Sequence, residues 1–255
     1  MRTAAALRSE IEAKLQNRIP AALTPKHREL QQSIPCGISN IDLLQAFPRG
    51  TLVEICGLPS TGRTGLLHAL LAQTTSGGEA AAVIDVSDSF DPVSATQSGV
   101  VLSELLWVRC GLLSNQRRSL SAFDQALRAA DLLLQSGGFG ILTLDMGNVL
   151  TQDARKIPLA TWFRFRRAVE ETQTLFLVLE QEPHASSSAA VVLDLSQSGI
   201  GVQETQDTEK PQHIDGDRLI ETLHTRAEVV RGQARKPVRS DRTNTMFSTR
   251  LQAYR

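Results

Sequence analysis

Between an apolar strand pattern and a helical pattern, in GTLVEICGLPSTGRTGLLHALLAQT, lies a turn whose glycine spacing constrains the fold more than any other feature of this chain. Gly57 and Gly62 have four residues between them and are followed by Arg63 and Thr64, which matches the phosphate-binding pattern G-x-x-x-x-G-K-[ST] everywhere but at the lysine. A loop of this kind exists because its glycines let backbone N–H groups turn inward at a helix N-terminus, where the helix dipole favours an anion. The strand from Gly50 to Gly57 and the helix after Thr64 supply the context that the motif requires.

The loop therefore nominates Gly57, Ser60, Thr61, Gly62, Arg63 and Thr64 as a nucleotide-binding set, with the Thr64 hydroxyl placed for Mg2+ beside ATP. Arg63 keeps the charge of the usual lysine but changes its geometry, because a guanidinium is a wide planar fork on a longer stem. From this substitution alone, a loop that binds nucleotide and a vestigial one stand level.

Further along, strand and helix patterns alternate. AAAVIDVSD is a second strand, nearly continuous in its apolar run, and LLWVRC a third. SAFDQALRAADLLLQSGG reads as an amphipathic helix ended by Gly137 and Gly138, and FGILTLDM as the next strand. LATWFRFRRAVEETQ is another helix, followed by the strands LFLVLEQ and AAVVLDLS. Alternation of this sort predicts an α/β fold with a mostly parallel wound sheet and helices on both faces. With 255 residues, 41% of them hydrophobic, one sizeable core is expected.

Three regions follow: residues 1–33 as an N-terminal helix (Ala4 to Gln16) and linker, 34–202 as the core, and 203–255 as a polar linker and basic, flexible C-terminal tail. The tail carries Arg231, Arg235, Lys236, Arg239, Arg242, Arg250 and Arg255 against the lone Asp241. Those cations can hold a single-stranded nucleic acid backbone, or be a solvated end. A third reading is that Met246, Phe247, Leu251 and Tyr254 fold on a partner protein. Over the whole chain 27 basic residues balance 27 acidic ones, so any such attraction is local.

The strand GILTLDM ends in Asp145, where a carboxylate would hold magnesium through water beside Thr64. Hydrolysis also needs a group that orients the attacking water, and the candidates are Asp88 and Gln181. Trp162, Phe163 and Phe165, interleaved with Arg164, Arg166 and Arg167, are either a base-stacking surface or, the better expectation, a half-buried helix with solvated arginines. His184 in its serine-rich turn is read as a surface residue. Cys36, Cys56 and Cys110 lack metal-type spacing and are expected to be buried thiols of a reducing compartment. Without a signal-type or membrane-length apolar run, the expectation is a cytoplasmic protein with no membrane partner.

Taken in order, IPCGISNIDLL, FPRGTLVEICGLPSTGRTGLLHALLA, VIDVSDSFDP, ILTLDM and LVLEQ followed by AAVVLDL resemble the ATPase core of the bacterial recombinase RecA, from about Ile34 to Leu195. The resemblance implies a RecA-like P-loop fold, ATP at subunit interfaces and filaments on single-stranded DNA. It puts the metal-holding aspartate on Asp145 and the γ-phosphate-sensing glutamine on Gln181. The family's catalytic glutamate falls on Ser87, with Asp88 one residue on and so directed to the other face of a strand. The long mobile DNA-gripping loop after the glutamine shrinks here to EPHASSS, and the polar linker and basic tail are expected to stand in place of the RecA C-terminal domain.

With these departures the chain is more similar to the shortened ImuA-type branch, implying an accessory role in SOS-type translesion mutagenesis beside a polymerase-like or RecA-type repair protein, with weak or absent ATP hydrolysis. The alternatives carried forward are an active recombinase that binds single-stranded DNA and an inhibitor that caps a partner filament.

Overall fold

In the computed structural model, residues 32–111, 121–170, 172–202, 220–232 and 244–250 are described. Eight strands form one sheet: β1 (Leu52–Cys56), β2 (Ala81–Asp85), β3 (Leu105–Arg109), β4 (Ile141–Asp145), β5 (Leu175–Glu180), β6 (Val191–Val202), β7 (Ile220–Gly232) and β8 (Asn244–Arg250). Their order is β3-β2-β4-β5-β1-β6-β7-β8. The pairs from β3 through β6 are parallel, and β7 and β8 close the sheet antiparallel.

Strands with continuous apolar runs need cover on both faces, and they receive it. One face packs against α1 (Ser39–Asp42), α2 (Arg63–Ser76) and α3 (Pro92–Gln97) through Ile41, Leu66, Leu67, Leu70, Leu71 and Ala95. The other packs against α4 (Ala122–Ser136) and α6 (Leu159–Val169), with the short α5 (Thr151–Ala154) between them in sequence. Within β1 the two faces alternate: Val53 and Ile55 join the first cluster, Leu52 and Cys56 the second.

Local chemistry sets the helix starts. Asp91 caps α3 by accepting from the N–H groups of Val93 and Ser94, with Pro92 at the first helical position. Ser121 caps α4 through the Asp124 N–H at 3.0 Å, and Gly137 ends that helix with φ 65°.

The aromatic helix α6 is a core element. Trp162 and Phe165 are fully buried, Phe165 stacks edge-on to Phe176 of β5 at 5.4 Å between ring centroids, and Phe163 is 47% exposed. Arg164 and Arg166 pair with Asp131 and Glu170. A Phe163→Ala variant is expected to change unfolding free energy by less than about 0.5 kcal/mol in a denaturant titration, as an exposed substitution does.

The structure differs from the sequence reading beyond residue 202. Residues 220–232 and 244–250, read as polar linker and basic tail, are β7 and β8. Their inward side chains are small or few: Thr225 and Ala227 on β7 and Phe247 on β8 are buried, while Arg226, Glu228 and Met246 face out. Low hydrophobicity hid a strand whose partner surface does most of the covering. Phe247, expected as a docking anchor, belongs to the protein's own core, and Asn40 of α1 donates to the Met246 carbonyl at 3.2 Å. The expected helix Ala4 to Gln16, residues 203–219, Arg235, Lys236, Arg239, Arg242, Leu251 and Tyr254 lie outside the described residues.

His184 also departs from its expected surface position, as its side chain is largely buried against Glu180. The three cysteines are buried and free, as read.

Candidate nucleotide site

The loop leaves β1 at Gly57, whose φ of 151° no ordinary residue favours. A Cβ there would lie 2.5 Å from the Leu195 carbonyl of β6 and 2.6 Å from Thr61 Oγ1. Thr61 is buried, its hydroxyl donating to the Leu58 carbonyl at 2.8 Å. Ser60 is exposed with φ 63°, and Gly62, at φ 89°, begins α2 with no side-chain cap. Among the described residues nothing accepts a hydrogen bond from the N–H of Ser60, Thr61, Gly62 or Arg63. Free donors at a helix N-terminus fit a phosphate, and the exposed Thr64 hydroxyl fits a magnesium ion bound with it.

Thr225 of β7 closes the back of the loop by donating to the Thr61 carbonyl at 3.0 Å. A Cβ on Gly62 would meet that Thr225 hydroxyl at 2.8 Å, so Gly62 is required by strand packing as well as by conformation.

Arg63 does not face the loop's concavity. It is only 8% exposed, and its Nη2 donates to the Gly147 carbonyl at 3.1 Å while Nη1 is buried without a partner. Burial lowers the Arg63 pKa, opposed chiefly by the charge of Asp145. Gln181 Nε2 donates to the same Gly147 carbonyl at 3.3 Å, and the Gly57 N–H donates to the Gln181 carbonyl at 3.2 Å. Asp145, at the end of β4, accepts from the Gly147 N–H at 2.9 Å. Burial raises the Asp145 pKa and that N–H opposes it. The predicted Arg63, Asp145 and Gln181 are thus brought together, on a glycine that sequence reasoning did not single out.

Asp88 is not part of this network. It stands at φ 54° and both carboxylate oxygens accept from Arg109 at 2.7 Å, which holds its pKa below the usual range. Arg109 belongs to β3, the edge strand separated from β1 by β2, β4 and β5. Of the same segment, Asp85 is the buried carboxylate, and it accepts from the N–H groups of Ser89 and Phe90 and from Trp107 Nε1.

On the opposite face of β1 and β5 lies a second cluster that sequence reasoning missed. Glu54 and Glu180 are buried. Glu54 Oε1 accepts from the N–H groups of His184 at 2.7 Å and Ala185 at 2.5 Å, and His184 Nδ1 lies 2.8 Å from Glu180 Oε2. Burial first, and then the neighbouring Glu180 carboxyl, pushes Glu54 up to about 8. Burial pushes Glu180 up to about 7 against the pull of its hydrogen bonds and of Arg63. Burial lowers the His184 pKa. The readable signal was a glutamate inside LVEIC and another closing LFLVLE, since an acid in an otherwise apolar strand must find a partner.

These contacts fix the turn from β5 to β6. The Ser186 carbonyl accepts from Arg231 of β7, and the Ser187 carbonyl from Arg166 of α6 at 3.2 Å. Arg231, expected among free cations for nucleic acid, is engaged there. Among the described residues no group of three or more His, Cys, Asp or Glu side chains is placed to hold a metal ion, and no helix is long and apolar enough to cross a membrane.

A wound, mostly parallel sheet with a glycine loop at the β1–α2 junction, facing an aspartate on β4 and a glutamine after β5, defines a P-loop protein of the RecA-like class. The family described as RecA N-terminal domain matches residues 4–156. Since that is more than half of the chain, the protein belongs to this family. It is 35% identical over 129 residues to Protein RecA of Xylella fastidiosa (strain M12), covering 49% of this chain and 34% of that protein. Protein RecA of Methylococcus capsulatus is 36% identical over 124 residues, covering 48% and 33%. The matched stretch spans about a third of those relatives. Among solved structures, that of the RadB recombinase is similar in fold, with a TM-score of 0.56, 14% identity, and coverage of 86% of this chain and 96% of that one.

Proposed function

We propose that this protein is a RecA-like accessory factor of DNA repair and damage tolerance, of the ImuA type, that acts by docking on a polymerase-like or RecA-type repair protein with little or no ATP turnover. The observation that carries this reading is the fixed turn after Gln181. A segment that would have to reach out and grip a DNA strand is short, and it is tied down by Glu54, Arg166 and Arg231 from three different elements. Asp88, the candidate for activating water, is engaged with Arg109. Met246, 54% exposed on the outer edge strand β8, remains available for docking.

A second reading, an ATP-dependent recombinase, is favoured by the free N–H groups of the loop and the exposed Thr64. ATP hydrolysis measured with and without single-stranded DNA separates the two, with a Thr64→Ala, Asp145→Ala double variant as control. The expected result is turnover at the level of that control in both conditions. Turnover that rises several-fold with DNA would replace the accessory reading with the recombinase.

A further inference from the structure

We propose that the Gly147 peptide is an internal stand-in for phosphate, holding Arg63 just past the C-terminal end of β4 so that a nucleoside triphosphate in the loop gains the guanidinium only by breaking that contact. This rests on reading Gly57 to Thr64 as a nucleotide loop, and it names the contact that limits nucleotide use there.

Three groups converge on one peptide unit. The Gly147 carbonyl accepts from Arg63 Nη2 and Gln181 Nε2, and the Gly147 N–H donates to Asp145. A carbonyl offers the donors a partial negative charge, the kind of acceptor a phosphate oxygen would supply. While Arg63 is seated there, the backbone donors of its own loop point to no acceptor among the described residues.

The seat is also incomplete. Nη1 is buried without a partner, and burial disfavours the charge that the guanidinium carries. A cation held by one carbonyl and by Asp145's field is a poor match for its site and would gain by meeting an anion with several oxygens. Release, however, breaks a charge-assisted hydrogen bond and leaves Asp145 without its opposing charge, so nucleotide binding is weakened by that exchange.

Gly147 is the position at which this can be tested cleanly. Its φ is outside the left-handed region, so alanine is allowed by the backbone there. The added Cβ would lie 3.1 Å from both Arg63 Nη1 and Asp145 Oδ1, which crowds the seated guanidinium without removing any functional group.

The experiment is equilibrium binding of ATP with magnesium to the full chain by calorimetry, comparing wild type, Gly147→Ala and Arg63→Lys, with urea unfolding of each as the check on folding. Gly147→Ala is expected to bind about ten- to a hundredfold more tightly, the scale of one charge-assisted hydrogen bond. Arg63→Lys should tighten binding as well, since an ammonium lacks the planar fork that fills the seat. If Gly147→Ala binds no more tightly while unfolding like the wild type, the proposal is overturned. Should that variant not fold, Arg63→Lys decides alone, and unchanged affinity overturns the proposal too. Vigorous hydrolysis by the wild type would instead defeat the weak-turnover reading, whatever the variants do.

Discussion

Between about pH 5 and about pH 9 the unfolding free energy of the wild type is expected to fall by several kcal/mol, and Glu54→Gln should remove more than half of that fall. Both Glu54 and Glu180 have pKa values raised in the fold, to about 8 and about 7 from an ordinary 4.5. The folded chain therefore holds protons that the unfolded chain has released over this interval. Their stabilisation is complete below the ordinary carboxylate range and is lost as pH rises through about 7 and then about 8. A glutamine at 54 still accepts from the N–H groups of His184 and Ala185, and its amide can donate to Glu180, so no proton has to be held at position 54. Urea titrations at a series of pH values measure the effect. Because burial lowers the pKa of His184 and His68, which opposes the fall, the difference between the wild-type and Glu54→Gln profiles is the readout, and identical profiles would mean that the two carboxyls are not buried together.

Trp162→Ala is expected to destabilise the fold by about 3–5 kcal/mol, against the near-neutral Phe163→Ala beside it. Trp162 has no exposed surface and packs with Phe165 at 6.2 Å between ring centroids, on the α4 and α6 side of the sheet. Its removal would leave a cavity in that cluster, beside Phe165, that rigid neighbours fill only in part. Denaturant midpoints of the two variants decide whether the helix is a core element or a stacking surface. Equal and small effects would restore the stacking surface.

That contrast shows which parts of the chain were legible. TWFRFRR could be resolved into a buried and an exposed face because helical periodicity is a local property, and Trp162, Phe165 and Val169 fall on one side. The motif residues were likewise legible, since glycine spacing between a strand and a helix reports backbone conformation directly. Strand β7 was not, because Thr225 and Ala227 carry little hydrophobicity of their own and are buried by what lies opposite them. Gly147 was invisible for a related reason: nothing in DMGNVL announces that two distant side chains will settle on its carbonyl.

By itself the sequence determined the strand, loop and helix that begin the core, the parallel succession of β1 to β6, and the placing of Arg63 at the start of α2 and of Asp145 and Gln181 at strand ends, all of which follow from periodicity and turn chemistry within a few residues. Only the tertiary structure decided where the Arg63 charge goes, that Glu54 and Glu180 share a buried site with His184, and that residues 220–232 and 244–250 complete the sheet. Those outcomes depend on contacts across 84 residues from Arg63 to Gly147 and 130 from Glu54 to His184, where burial and competing partners, rather than local preference, set the lowest free energy.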